Sequence, residues 1–200
     1  MEHAMSSVTS GNALAIRAAS GSTYKYAVYA LLVGLGVAAI AVSAKIQVPF
    51  WPVPMTLQTL AIMAIFAAYG LRLSVATIIA YLGAGFAGIP VFAGAAAGPA
   101  YFVGPTAGFL AGFVIAAFIV GYIADQTGSK NPFKLFAAMV TADVVIFALG
   151  FLWLGFIFTG SGIGADKAWL AGVQPYILSD VVKMVIAAAI VPAVGSLLKR

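Results

Sequence analysis

Hydrophobic residues in this chain gather into six long runs, at 25–44, 55–70, 72–88, 105–124, 134–158 and 175–198. Such lengths approach or reach the roughly 17–25 apolar residues that carry a helix across a bilayer. The pattern predicts an all-α integral membrane protein with six transmembrane helices. The breaks between runs alternate in character. On one side the connections are brief: Gly70-Leu-Arg72 is a tight turn, and Asp125 to Lys134 is short and polar. On the other side they are long: the Pro-rich Lys45 to Pro54, the Pro- and Gly-rich Gly88 to Pro105, and the Gly- and Ser-bearing Thr159 to Gly172. The second of these carries almost no charge, yet its Pro and Gly cannot make a stable helix. Apolar, non-helical backbone is tolerated at membrane depth only where protein buries it or it lines a cavity. The first two long loops are therefore expected to fold back over the outer mouth of the bundle, above a ligand pocket.

Charge sets the orientation. Arg17 and Lys25 precede the first run, Arg72 sits in the tight turn, Lys130 and Lys134 join the fourth and fifth runs, and Lys199 and Arg200 end the chain. All fall on one side of a six-span arrangement, against only Lys45 and Lys167 on the other. The positive-inside rule then places both termini in the cytoplasm, as an even number of spans requires. Residues 1–24 read as a polar cytoplasmic tail without the apolar core of a signal peptide, and 25–200 as a single membrane domain.

Composition narrows the function classes. At 64% hydrophobic and 8% charged residues, the chain lies outside the range of soluble domains. It has no Cys, hence no disulfide and no thiolate metal site. The single His, His3, lies in the tail, which removes most hydrolytic and His-rich metal constellations. No P-loop is present, so ATP hydrolysis is not expected of this chain itself. The basic residues form no nucleic-acid patch. No cofactor or metal is called for.

The residues that demand explanation are the polar ones inside the runs. Asp180 and Lys183 each cost roughly 2.5–3.5 kcal/mol at the centre of a membrane helix. Three residues apart, they share a helical face and partly offset that cost for each other. Tyr176, Asp180, Lys183 and Ala187 form one stripe, the make-up of a polar pocket in an apolar bundle. Asp143 is a third charge at membrane depth, open to three readings: lining the lower cavity, proton coupling, or a structural hydrogen bond. Gln58 and Thr56 open the second run, where they can face the pocket mouth, although Thr56 equally suits a helix cap. Phe50, Trp51, Phe92 and Tyr101 suit either an interfacial belt or walls that stack on a flat ligand. Tyr81 reads as a packed aromatic.

Small residues recur at four-residue spacing in three runs: Ala30, Gly34 and Ala38; Ala76, Ala80, Ala84 and Gly88; Gly104, Gly108, Gly112 and Ala116. Such stripes let helix backbones approach closely in lipid. Internal packing is expected for the second and third. The first suits either packing or the docking of another subunit.

Four ordered stretches carry a family resemblance: Pro52-Val-Pro54-Met-Thr56-Leu-Gln58-Thr59, Gly88-Ile-Pro90-Val-Phe92-Ala-Gly94, Gly104-Pro105-Thr106-Ala-Gly108-Phe-Leu-Ala-Gly112-Phe, and Asp180-Val-Val-Lys183. Together they span about 45–195, and the chain resembles the BioY family, the biotin-binding S components of energy-coupling factor (ECF) transporters. One departure is Ala95-Ala96-Ala97, where relatives often carry a more Gly-rich or polar run. The resemblance implies a multi-pass protein of the inner (plasma) membrane that captures biotin from outside. It implies delivery with a transmembrane coupling protein and paired ATPase subunits, with membrane lipid around it and no enzymatic step. It implies biotin binding by Asp180 and Lys183, joined in our reading by Gln58, Phe92, Tyr101 and Tyr176. It implies Ala30, Gly34 and Ala38 as the face that docks the coupling protein. The rival readings are an S component for another vitamin, a stand-alone proton-coupled carrier using Asp143, and an intramembrane enzyme.

Overall fold

A computed structural model of the chain describes residues 25–197. His3 and Arg17 in the tail, and Lys199 and Arg200, lie outside the described residues. The elements run α1 (Lys25–Lys45), β1 (Gln47–Val48), β2 (Met55–Thr56), α2 (Gln58–Phe86), a 3-10 turn (Pro99–Val103), α3 (Ala107–Thr127), α4 (Pro132–Leu152), α5 (Ala165–Gly172) and α6 (Ile177–Leu197). Among the described residues, five helices are long and apolar enough to cross a membrane.

The second of those five is folded on itself. Gly70 interrupts α2 with φ 72° and ψ 179°. In a straight helix, residues 58 and 81 would stand about 34 Å apart at 1.5 Å per residue. Instead Gln58 Nε2 lies 3.1 Å from the Tyr81 hydroxyl, and Ser74 Oγ donates to the Phe66 carbonyl at 3.3 Å. Two antiparallel arms, 58–69 and 71–86, therefore meet at Gly70, matching the second and third apolar runs. The turn needs glycine twice over: its φ is left-handed, and an added Cβ would stand 2.1 Å from Asp125 Oδ1. Asp125 in turn accepts the Leu71 N–H at 3.0 Å, satisfying a backbone donor at the head of the second arm. Ser129 donates to the Ala67 carbonyl at 2.6 Å, so the tight turn and the 128–131 connection sit at one end of the bundle.

The small-residue stripes divide. In α3, a Cβ on Gly108 would meet the Leu149 carbonyl oxygen at 2.3 Å, and one on Gly112 the Ile146 Cα at 2.7 Å. Backbone thus packs on backbone along α3 and α4, as expected. The stripe of the third run is a correction. Ala76, Ala80 and Gly88 are exposed, and the second arm instead buries Ser74, Thr77, Ile78, Tyr81 and Gly85. Shape decides this, because Phe92, which packs edge-to-face with Tyr81, needs the bare backbone of Gly85 to seat against.

The loop from 159 to 172 also holds more order than its Gly and Ser suggest. α4 runs into a π-turn (Trp153–Ile157), and α5 follows within the loop, with Asp166 in its first turn. That acid suits the positive end of a short helix. Gly164 before it and Gly172 at its end hid it.

Candidate functional site

A cavity of about 610 Å³, its open mouth included, lies at the end opposite the Gly70 turn. It has a polar pole, aromatic walls and a mouth made by loops. Thr56, Gln58 and Thr59 reach it from the start of α2, and Asp180 and Lys183 from α6. Phe92, Tyr101, Phe109, Phe113, Phe147 and Tyr176 supply the walls, and Val53, Pro54 and Ala93 the mouth. The mixture of apolar walls with a few convergent polar groups is that of small-molecule sites.

α6 positions its pair by simple periodicity. Tyr176, Asp180, Lys183 and Ala187 all face inward, while Val181, Val182, Val185 and Ile186 face out. Lys183 Nζ lies 2.5 Å from Asp180 Oδ1, 2.8 Å from the Thr56 carbonyl and 3.1 Å from Thr59 Oγ1. These three bonds use all three N–H donors of the ammonium. Thr59 Oγ1 donates to Asp180 Oδ1 at 3.2 Å, and Ser179 Oγ approaches the same atom at 3.4 Å. Every contact that Asp180 receives here, from Lys183, Thr59 and Ser179, falls on Oδ1. Asp180 thus keeps Oδ2 as an acceptor for the cavity it lines. Only 3% of Asp180 and 8% of Lys183 are exposed, so the pair is buried and hydrogen-bonded, the condition that makes such charges tolerable.

The rest of the site is assembled by side chains that grip loop carbonyls. The Tyr176 hydroxyl donates to the Val53 carbonyl. Tyr81 donates to the Val91 carbonyl at 3.0 Å. Lys45, the last residue of α1, donates to both the Phe92 and Gly94 carbonyls at 2.6 Å. Trp153 Nε1 donates to the Gly104 carbonyl at 2.8 Å. With Lys183 on Thr56, the first two long loops are tied to α1, α2, α4 and α6. Phe92 so held stacks on Tyr101, with centroids 4.3 Å apart and planes 18° apart. Its edge meets Tyr81 at 84°. Burial pushes the Tyr101 phenol up from its ordinary pKa, outweighing the opposing pull of bonds to Thr106 and Ala93. It stays protonated and able to donate.

All six residues singled out for ligand binding (Asp180, Lys183, Gln58, Phe92, Tyr101 and Tyr176) line this one cavity. Thr56 lines it too, and its hydroxyl also accepts the Gln58 N–H at 3.1 Å, so it serves wall and helix start together. Phe50 and Trp51 do not line it: Trp51 is 85% exposed, and Phe50 meets the edge of Tyr176 from outside. The Ala95-Ala96-Ala97 run does not reach the cavity either. Tyr81 is fully buried behind the wall. Asp143 is buried on α4, one turn from the wall residues Ile146 and Phe147, within electrostatic reach of Asp180 and Lys183. Its Oδ1 has no hydrogen-bond partner. On α1, Ala30, Gly34 and Ala38 are exposed, and Gly36, Ile40 and Ala44 are the buried face. Sequence reading missed Thr59 as a member of the polar pole, although a Thr beside Gln58 at the head of an apolar run was its signal. Among the described residues, no group of three His, Cys, Asp or Glu could hold a metal.

A profile of the BioY family matches residues 13–200. A probable biotin transporter BioY of Pyrococcus horikoshii is 36% identical over 76% of this chain and 86% of its own length. The biotin transporters BioY of Rhizobium etli and Thermotoga maritima are each 34% identical, over 79% and 78% of this chain and 86% and 89% of theirs. The crystal structure at 2.1 Å of the S-component for biotin from an ECF-type ABC transporter superposes with a TM-score of 0.75. It is 23% identical and covers 88% of this chain and 94% of that one. It shows the same fold.

Proposed function

Because the chain belongs to the BioY family, we propose that it is a biotin-binding S component of an ECF-type ABC transporter, a transport subunit and not an enzyme. It captures biotin from outside and passes it to the cytoplasm together with a transmembrane coupling protein and ATPase subunits. It crosses the inner membrane six times, the two arms of α2 counting separately. Both termini are cytoplasmic, and the Pro- and Gly-rich loops close the outer end over the ligand.

One observation carries this reading. The cavity joins a buried Asp180–Lys183 pole to aromatic walls within a single enclosure. Biotin has a ureido group with two N–H donors and one carbonyl, an apolar thioether ring and a carboxylated tail. Asp180 Oδ2 accepts a ureido N–H, and Phe92, Tyr101 and Tyr176 take the ring system. Lys183 reaches the ureido carbonyl by exchanging one of its three bonds, and otherwise holds Asp180 in place. The exposed Ala30, Gly34 and Ala38 face of α1 receives the coupling protein.

Titration of the detergent-purified chain with biotin, riboflavin and thiamine tests the assignment. Tight binding of biotin alone is expected. Preference for another vitamin would make this an S component of different specificity. A second reading rests on the unpartnered Oδ1 of Asp143, which suits a stand-alone proton-coupled carrier. It requires uptake without ATPases that is lost in Asp143→Asn.

A further inference from the structure

Gln58 lines the cavity at the polar pole with a side chain whose chemistry is ambiguous on its face. A primary amide presents two donors on one side and an acceptor on the other, and the two orientations have nearly the same shape. Here the surroundings decide between them. The Tyr81 hydroxyl lies 3.0 Å from the Val91 carbonyl oxygen, and that oxygen can only accept. The single phenolic hydrogen must therefore point at Val91, for otherwise two lone-pair atoms would face each other in a buried site. The Tyr81 oxygen is left to accept, and it does so from Gln58 at 3.1 Å. The amide NH2 of Gln58 is thus turned toward Tyr81. Its carbonyl oxygen has no protein donor among these bonds and is not sealed off from the cavity that Gln58 lines.

We infer that Tyr81, which does not itself line the cavity, is a positioning residue that fixes Gln58 as a hydrogen-bond acceptor toward the ligand. A backbone carbonyl of the Phe92 loop sets the polarity of the whole relay. Beside the Thr56 hydroxyl, the pole then offers two acceptors, Gln58 Oε1 and Asp180 Oδ2, while the three donors of Lys183 are held by Asp180, Thr56 and Thr59. A pole of that polarity selects a ligand that brings two N–H donors to it, as the N–H, C=O, N–H edge of a cyclic urea does, with the carbonyl between them left to the Lys183 donor exchanged as above. The inference rests on the biotin reading above and gives it a second recognition element. It also makes the closing loop part of specificity, because Val91 belongs to that loop.

The discriminating probes are biotin and the two isosteric cyclic carbamates in which one ureido N–H is replaced by oxygen. This swap turns a donor into an acceptor without changing shape. Titrations compare the wild type with Tyr81→Phe, which keeps the ring, and with Gln58→Leu, which keeps the bulk. The wild type is expected to disfavour one carbamate by tenfold or more relative to biotin, about the effect of leaving a buried acceptor unpaired. In Tyr81→Phe the amide is free to turn its NH2 toward the ring oxygen, so that ratio collapses while the ratio for the other carbamate holds. General loosening of the fold would weaken all three ligands together and leave the ratios unchanged. Gln58→Leu, whose partner Tyr81 keeps its bond to Val91, is expected to lose the same preference. Biotin binding with wild-type ratios in both variants overturns the inference and leaves the biotin reading standing. Absence of biotin binding by the wild type overturns both.

Discussion

Lys183 and Thr56 meet at 2.8 Å, ammonium to backbone carbonyl, and through this contact the last helix grips the segment that leads into α2. The same lysine balances the charge of Asp180. Fold and the proposed binding therefore share a residue, and their contributions have to be separated by pairing substitutions.

Lys183→Met leaves Asp180 buried without its partner, which is expected to destabilise the protein by about 3–5 kcal/mol. Adding Asp180→Asn removes the stranded charge and should restore much of the melting temperature in detergent, but not biotin binding. Thermal unfolding and titration of both variants check this. A double variant that binds like the wild type would reduce the pair to a structural bridge.

At the other end of the bundle, Gly70→Ala forces a side chain into a left-handed backbone and toward Asp125. Backbone strain alone is expected to cost about 1–3 kcal/mol. Gly83→Ala is the control, since nothing lies within 4 Å of its added Cβ. It should be neutral or slightly stabilising in the same melting experiment.

The two glycine stripes separate docking from packing. Gly34 has open space where a Cβ would stand, whereas Gly112 faces the Ile146 backbone at 2.7 Å. Gly34→Leu should leave the fold and biotin affinity intact and abolish co-purification with the coupling protein. Gly112→Leu should lower stability and binding together. Undiminished assembly of Gly34→Leu would rule that face out as the docking surface.

Lys45→Met releases the Phe92 and Gly94 carbonyls. Charged hydrogen bonds of this kind contribute roughly 1.5–3 kcal/mol each. Biotin is expected to dissociate at least tenfold faster from the variant, read by chase with unlabelled ligand. Lys45→Arg, which can still donate to both carbonyls, should recover most of the residence time. An unchanged dissociation rate would show that the loop is closed by other contacts.

Much of this was legible in the residues. The stripe of Tyr176, Asp180, Lys183 and Ala187 follows from helical period alone, and the whole stripe is buried. The turn at Gly70 was readable because glycine and a charge interrupt an apolar run. What escaped were relations between distant segments. Ala76 and Ala80 share the spacing of Gly108 and Gly112 but lie on the outer face, because spacing marks a stripe and not the direction it faces. Thr59 joins the polar pole only because α6 is brought beside it, 121 residues away in sequence. The relay from Gln58 to Val91 likewise depends on the folding back of α2.

The anchors of the outer loops have a consequence for how such a protein changes. Tyr176, Lys183, Tyr81, Lys45 and Trp153 grasp the oxygens of Val53, Thr56, Val91, Phe92, Gly94 and Gly104. Those oxygens are main-chain atoms that every amino acid possesses. Side chains at Val53, Thr56, Val91 and Phe92 can be replaced without undoing the grip, provided the backbone path is kept. Mutation can thus redraw the surface that meets a ligand while the frame that shuts over it stays in place. Redesign toward a new small molecule should begin at Val53 and Phe92, and leave the five grasping residues alone.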